Sequence, residues 1–282
     1  MLPATNGWPE LDALSKHGPE RSGSPAIDPH LPNGARMYDS FLGGKDNYGA
    51  DRAAALEALR LNPDAALCAQ ANRAFPGRAV QFVAESGVRQ LLDLGTRLPA
   101  MGNVHEVAQD VHADAWTVYV DYDPVAVLLG RALLATSEHT VMMEDDLRRR
   151  ERILATASGL LGLGRPVRVL LMSSLHFVTD AEDPHGVVST LMRVTVPGSY
   201  LVLTHVIKTA KTAAAAAAYR GASAPVVLRT EEQVEDLFAA GGVEAVSPGV
   251  VRVPQRGADP EDPYVESDAA RAEFVGGVGR KP

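Results

Sequence analysis

Three acidic residues stand where predicted strands end, at intervals of about 25 residues along the chain: Asp93, Asp121 and Asp146. The carboxyl ends of parallel strands meet at one edge of a sheet, so these carboxylates are expected to lie close together. A carboxylate at the second strand can accept hydrogen bonds from both hydroxyls of a ribose. After the third strand, Asp146, with Asp145 as an alternative, can accept from the adenine amino group while Leu147 packs on the ring. The spacing therefore predicts an adenosine site.

The turn after the first of these strands, in the stretch Gln90–Gln109, differs from a dinucleotide-binding turn. Asp93 and Gly95 are followed by Arg97 where a second glycine is expected, so the three-glycine fingerprint is missing. An acid with one or two glycines suits a ligand that has hydroxyls and an ammonium group but no phosphate, which is S-adenosylmethionine. A purely structural strand-to-helix turn explains this stretch about as well. The three acids together are the more specific signal.

Alternating strands and helices are needed to position these residues. Short apolar runs, each followed by helical periodicity, predict five strands at 88–94, 116–121, 141–143, 166–172 and 200–206. Such an alternation with right-handed crossovers predicts a parallel sheet with helices on both faces. Ser173 and His176 directly follow the fourth and most apolar strand. Residues 243–246 and 274–279 are candidate sixth and seventh strands, expected as an antiparallel pair at one edge.

The residues before the first strand lie outside this repeat. Residues 1–34 are rich in Pro, Gly and Ser and are expected to form a mobile tail. Residues 35–87 predict four helices over the mouth of the sheet, the last two at 65–74 and 76–85. We interpret 35–87 as a helical lid, although its Gly-rich turn after Leu42 could simply join two helices. Residues 88–282 would then form the Rossmann-like domain.

Composition limits the class of protein. The 282 residues are 46% hydrophobic and 22% charged, as in an ordinary globular protein. The formal charge of −8 argues against nucleic-acid binding, and the run Arg148-Arg149-Arg150 is interpreted as a solvated helix face. One cysteine, Cys68, excludes an internal disulfide and a cysteine-based metal cluster and fits a reducing cytoplasm. No apolar run reaches the roughly 18 residues of a membrane helix, and no signal peptide is evident, so a cytoplasmic protein without membrane contacts is expected.

From residue 35 to the end, the chain resembles the actinobacterial S-adenosylmethionine-dependent methyltransferase-like family, formerly classed as a domain of unknown function. The motifs that carry the resemblance are Ala35-Arg-Met-Tyr-Asp with Gly43-Gly-Lys-Asp-Asn, Asp93-Leu-Gly-Thr, Asn103-Val-His-Glu-Val-Ala, Val118-Tyr-Val-Asp-Tyr-Asp-Pro, Asp146-Leu-Arg, Leu175-His-Phe, Pro197-Gly-Ser-Tyr and Gly276-Gly-Val-Gly-Arg-Lys-Pro282. The resemblance implies a class I methyltransferase fold, with a seven-stranded sheet whose last strand is antiparallel. It implies S-adenosylmethionine as cofactor and leaves the acceptor unidentified.

On these combined grounds, twelve residues are expected to bind the cofactor: Arg36, Tyr38, Asp93, Gly95, Thr96, Arg97, Asn103, Asp121, Tyr122, Asp146, Leu147 and Ser173. The resembled family usually has glycine at position 97. Arginine there could block the pocket, pair with the cofactor carboxylate or point outward, and we expect the outward orientation. No metal site is expected, and the oligomeric state is open.

The reaction expected of such a site is an in-line attack by an acceptor O, N or C atom on the sulfonium methyl group, which needs mainly positioning and exclusion of water. A general base helps a hydroxyl acceptor. His176 is the first candidate for the base, followed by His105 and Tyr48. The expected function is therefore methyl transfer to a small molecule. The alternatives are a catalytically inactive relative that binds the cofactor or a partner protein and, less in keeping with the glycines, a nicotinamide dehydrogenase.

Overall fold

The computed structural model describes residues 27–99, 102–255 and 271–282. Eight strands in these ranges form one sheet in the order β3-β2-β1-β4-β5-β8-β6, with β7 paired to β8 beside this path. The first five strands are parallel, and β8 runs antiparallel to β5. The strands are β1 Gln90–Leu94, β2 Trp116–Asp121, β3 Thr140–Glu144, β4 Arg168–Met172, β5 Tyr200–Val206, β6 Glu244–Ala245, β7 Val251–Arg252 and β8 Phe274–Arg280. The predicted Rossmann-like class is confirmed, and the two-residue β7 is an addition to the expected seven strands.

Helices pack on both faces of this sheet. Those in the described ranges are α1 Gly34–Phe41, α2 Gly49–Leu61, α3 Ala65–Glu85, α4 Val104–Val111, α5 Pro124–Leu133, α6 Arg150–Ala157, α7 Pro184–Arg193, α8 Ala210–Ala215 and α9 Glu231–Ala240. Strand residues alternate between the two faces, so Leu92 and Leu94 join one apolar cluster while Leu91 joins the other. Residues 35–87 supply a third cluster, in which Met37 packs with alanines of α2.

Helix α3 is one helix where two were predicted. Pro76 lies inside it, although a proline in a helix interior costs about 3 kcal/mol because it removes one backbone hydrogen bond. Phe75 and Val80 on either side of this proline are fully buried. Burying two such side chains contributes about 1.5–3 kcal/mol each, which offsets the cost and keeps the helix continuous.

Strands β6 and β8 form an antiparallel pair at one edge of the sheet, as predicted, with β6 outermost and β8 between β5 and β6. The glycines of β8 explain how it fits against β5. A Cβ built on Gly276 would come 2.7 Å from Thr204 Cγ2 of the neighbouring β5. Small residues therefore allow this strand to enter the closely packed interior of the sheet.

The alanine-rich segment before Arg220 packs on α1 and α2. It consists of α8 followed by a 3-10 helix, Ala216–Tyr219. Ala215 is buried in the cluster formed with α1 and α2. Val253 and Pro254, which follow β7, are buried. Residues 256–270 lie outside the described ranges, as do residues 1–26 of the predicted tail. No helix among the described residues is long and apolar enough to span a membrane.

Candidate functional site

A cavity of about 580 Å³ opens at the carboxyl ends of β1, β2, β3 and β4. We name it the acid-lined cavity, and the start of α1 closes one side of it through Asn33, Gly34 and Ala35. Seven residues predicted to bind cofactor line its wall: Gly95, Arg97, Asp121, Tyr122, Asp146, Leu147 and Ser173. The structure thus brings together residues that are far apart in the chain.

A second cavity of about 710 Å³ adjoins the first. We name it the aromatic cavity, because its wall is mostly apolar and includes Tyr38, Phe41, Phe177, Tyr219 and Phe274. His176 also lines it. Four residues line both cavities, namely Gly34, Arg97, Ser173 and Phe177. The two cavities therefore meet at these four residues.

Asp121, at the end of β2, holds the turn that follows β1. Its Oδ2 accepts a hydrogen bond from the backbone N–H of Arg97 at 2.7 Å, and its Oδ1 accepts one from Asp123 N–H at 2.9 Å. Burial raises the pKa of this carboxyl to about 6, although the backbone hydrogen bonds from Asp123 and Arg97 lower it. Asp121 is thus a structural acceptor as well as part of the cavity wall. Asp123 caps α5, as its spacing before Pro124 indicates.

Gly95 allows β1 to approach the segment after β4. Its φ is +79°, and a Cβ built on it would lie 2.6 Å from Ser174 Cβ. Any larger residue at position 95 would therefore clash with Ser174 and strain the turn.

Thr96, the next residue, donates hydrogen bonds from its N–H and its hydroxyl to the carbonyl of Val120. It does not line either cavity.

Asp93, just before this turn, is a buried carboxyl that lines neither cavity. No residue in the described ranges donates a hydrogen bond to its side chain. Burial raises the pKa of this carboxyl to about 7, although the positive charges of Arg97 and Arg73 lower it. The end of β1 thus holds a carboxyl group that titrates near neutrality.

Arg97 does not point outward, so that prediction is wrong. The side chain is 9% exposed, and its guanidinium carbon lies 4.1 Å from the centre of the Tyr38 ring. The backbone has a φ of +65°, in the left-handed region that glycine adopts freely. The guanidinium Nε and Nη1 are buried, and no described residue gives them a hydrogen-bond partner. Stacking on Tyr38 holds the side chain inward at the junction of the cavities.

The acids after β3 form ion pairs. The guanidinium of Arg148 donates to both carboxylate oxygens of Asp146, at 2.8 and 2.7 Å, and also to Glu182. Asp145, the alternative to Asp146, is buried and paired with Arg152 Nε at 2.7 Å. Arg148 and Arg149 are exposed, as predicted for a solvated face, although both precede α6 and Arg148 also lines the acid-lined cavity beside Leu147.

His176 is the predicted catalytic residue that the structure places in a cavity wall. It is buried, and its Nδ1 has no hydrogen-bond partner among the described residues. Burial, together with the neighbouring His205, lowers its pKa well below 6.5, so the ring is neutral. His205 is fixed by the carbonyl of Val206 and by Arg229 Nη1 at 3.0 Å.

Besides Asp93 and Thr96, four further predicted site residues lie outside both cavities: Arg36, Tyr48, Asn103 and His105. The guanidinium of Arg36 pairs with Asp51 at 3.2 Å and lies 5.2 Å from the centre of the Tyr48 ring. Arg36 and Tyr48 therefore join α1 to α2.

His105 and Asn103 belong to α4. His105 Nδ1 lies 2.9 Å from the buried Tyr119 hydroxyl, which fixes α4 on the sheet. Asn103 precedes α4, and its backbone N–H donates to Glu106 at 2.8 Å. No group of three or more His, Cys, Asp and Glu side chains in the described ranges could hold a metal ion.

Asn33 is a cavity residue that the sequence reasoning missed. Its side chain accepts from the backbone N–H of Ala35 and Arg36, and it donates to the hydroxyls of Tyr122 and Ser223. Asn before Gly34 at the start of a helical pattern is an N-cap signal that would have identified it as the start of α1. Asn33 thus links α1 to the end of β2.

Comparison with known proteins supports one assignment. The sequence profile of a family described as S-adenosyl methyltransferase matches residues 20–282. A DUF574 family protein from Streptomyces avermitilis has a similar crystal structure, with 35% identity, a TM-score of 0.84, and coverage of 90% of this chain and 99% of that one. A candidate methyltransferase from Thermobifida fusca has 38% identity and a TM-score of 0.82, with 91% of this chain and 97% of that one covered. No curated protein matches the chain. The chain therefore belongs to the S-adenosyl methyltransferase family.

Proposed function

We propose that the protein transfers a methyl group from S-adenosylmethionine to a small molecule, with the cofactor in the acid-lined cavity and the acceptor in the aromatic cavity. The observation that carries this proposal is the junction of the two cavities at Gly34, Arg97, Ser173 and Phe177. A cofactor and an acceptor would then occupy neighbouring clefts, one lined by acids and one mostly apolar. A donor and an acceptor in adjoining cavities can react directly across their junction.

The acid-lined cavity fits the adenosine part of the cofactor. Each oxygen of the Asp121 carboxylate accepts one backbone hydrogen bond, which leaves further lone pairs for two ribose hydroxyls. Beyond it, Leu147 provides an apolar surface for the adenine ring. Asp146 already accepts three hydrogen bonds, all from Arg148, so one lone-pair site remains for the adenine amino group.

The cofactor supplies an electrophilic methyl group on a sulfonium, and the chain supplies position and a water-poor surrounding. The apolar wall of the aromatic cavity excludes water from the acceptor. His176 stays the proposed base, because its neutral ring can accept a proton or a hydrogen bond in this cavity. His105 and Tyr48 have structural partners and line neither cavity, so we propose that they position helices.

Residues 35–87 are proposed to act as a lid on residues 88–282. The support is that Gly34 and Ala35 of α1 belong to the wall of the acid-lined cavity, while α2 and α3 line the aromatic cavity through Ala58 and Ala69. Ligands would then have to pass these helices. A cytoplasmic location, expected from the single buried Cys68, belongs to the same proposal.

A catalytically inactive protein is the second candidate, and Arg97 favours it. Its buried side chain lies at the junction through which the methyl group would pass. An inactive protein would bind the cofactor or its demethylated product without turnover. Binding and turnover therefore have to be measured separately.

Calorimetric titration with S-adenosylhomocysteine tests cofactor binding. We expect wild-type protein to bind it, and Asp121→Asn to weaken binding by about 1.5–3 kcal/mol, or about 10- to 150-fold, as expected for a charged acceptor. The control is Asp114→Asn, since this exposed carboxylate pairs with Arg89 away from both cavities. Absence of binding to wild-type protein would refute the proposal. Formation of S-adenosylhomocysteine from S-adenosylmethionine in a metabolite extract would separate the enzyme from the inactive alternative.

A further inference from the structure

The side chain of Arg97 combines a buried positive charge with unused hydrogen-bond donors. It is 9% exposed, and two of its guanidinium nitrogens have no partner among the described residues. A buried donor without an acceptor destabilises the folded chain, and more strongly when it is charged. Guanidinium groups pair preferentially with carboxylates and other oxyanions, because two N–H groups match two oxygens. Arg97 is therefore suited to hold an anion.

The guanidinium faces the aromatic cavity. Tyr38, on which it stacks at 4.1 Å, lines the aromatic cavity and not the acid-lined one. His176, whose pKa its charge helps to lower, also lines the aromatic cavity alone. By contrast, the backbone N–H of Arg97 points to Asp121 on the other side. The backbone N–H of Arg97 thus contacts the acid-lined cavity through Asp121, and its charged side chain lies against the aromatic cavity through Tyr38.

Apart from His176 Nδ1, which has no partner among the described residues, the other main polar groups in the wall of the aromatic cavity are already hydrogen-bonded. Glu273 accepts hydrogen bonds from Asn62 at 2.7 Å and from the Thr209 hydroxyl. The Tyr38 hydroxyl donates to the carbonyl of Ala69 at 2.7 Å. The rest of the wall is largely aromatic and aliphatic. The cavity therefore offers an apolar surface with a cation at the end that meets the acid-lined cavity.

We propose that the aromatic cavity binds an apolar, aromatic acceptor that carries a carboxylate or another oxyanion, and that Arg97 pairs with this anion. This inference rests on the proposed function, because it takes the ligand of the aromatic cavity to be the methyl acceptor. It adds the chemical class of that acceptor. An oxygen that is already deprotonated needs no general base. With such an acceptor, the neutral ring of His176 would accept a hydrogen bond in this cavity and no proton.

The test compares naphthoate with naphthamide, which has the same ring system and no charge, by calorimetric titration in the presence of S-adenosylhomocysteine. We expect wild-type protein to bind naphthoate at least tenfold more tightly than naphthamide. In Arg97→Gln this preference should disappear, whereas Arg89→Gln, which changes an exposed arginine of the Asp114 ion pair, should keep it. The wild-type comparison needs no variant, so it remains decisive if Arg97→Gln fails to fold.

Two results would overturn the inference. One is equal binding of naphthoate and naphthamide by wild-type protein. The other is that Arg97→Gln keeps the preference and instead weakens S-adenosylhomocysteine but not methylthioadenosine, which lacks the amino-acid part. That pattern would assign Arg97 to the carboxylate of the cofactor. Naphthoate binding without any S-adenosylhomocysteine binding would overturn the proposed function alone and leave the anion site in place.

Discussion

Replacing Asp93 by asparagine should stabilise the protein by an amount that grows from about pH 4 and is largest at neutral and alkaline pH. Burial raises the pKa of Asp93 from 3.8 to about 7. A carboxyl with a higher pKa in the folded than in the unfolded chain lowers stability as pH rises between the two values. The difference of about 3 pKa units corresponds to about 4 kcal/mol at pH 8. Asparagine has nearly the same shape and no charge, and no described donor to Asp93 is lost.

Urea unfolding at several pH values between 4 and 8 measures this effect. We expect the stability of the Asp93→Asn variant to exceed that of wild type by an amount that grows with pH and levels off above about pH 7. Asp114→Asn is the control, because its carboxylate is exposed and paired with Arg89. Parallel stability curves for wild type and Asp93→Asn would show that the carboxyl is not desolvated as its burial implies. A less stable variant at pH 8 would show that the charge of Asp93 is needed by the fold.

Three further predictions concern the turn, the ribose acid and the proposed lid. Gly95→Ala should lower the free energy of unfolding by about 2–4 kcal/mol, measured by thermal unfolding, since the added Cβ would lie 2.6 Å from Ser174 Cβ and the φ is +79°. Gly43→Ala is the control: its φ of +76° is similar but no atom lies within 4 Å of the added Cβ, so it should lower the free energy of unfolding by only about 1 kcal/mol. Burial raises the pKa of Asp121 to about 6, so if the ionised form accepts the ribose hydroxyls as proposed, affinity for S-adenosylhomocysteine should fall as pH drops from 7 to 5, with a flat profile in Asp121→Asn. Amide hydrogens of residues 35–51 should exchange more slowly once S-adenosylhomocysteine is bound, and equal exchange in both states would argue against a lid.

The order of elements and the position of the acids could be predicted because both depend on local patterns. Apolar runs ending on Asp93 and Asp121 correspond to β1 and β2, and parallel pairing brings their ends together. Capping residues such as Asp123 and Thr230 also follow local rules, and both accept the expected backbone hydrogen bonds. Such features need no knowledge of distant contacts.

The remaining features depend on tertiary packing. Pro76 lies in a continuous helix only because its neighbours are buried, which the sequence does not reveal. The inward orientation of Arg97 depends on Tyr38, a residue of α1 whose position relative to the turn is set by the fold. Likewise, Arg36 was predicted to bind cofactor from its motif, but its guanidinium pairs with Asp51. Charged side chains can reach several partners, so their assignment requires the structure.

The place of β8 between β5 and β6 has a consequence for biosynthesis. Pairs such as Val206 with Phe274 and Tyr200 with Arg280 join segments that leave the ribosome well apart in time. Until residue 280 has been made, β5 presents an open edge that could pair with another chain. Contacts this distant in sequence also slow folding. Nascent chains should therefore depend on chaperones at this stage, and a ribosome stalled before residue 274 would hold a chain prone to aggregate.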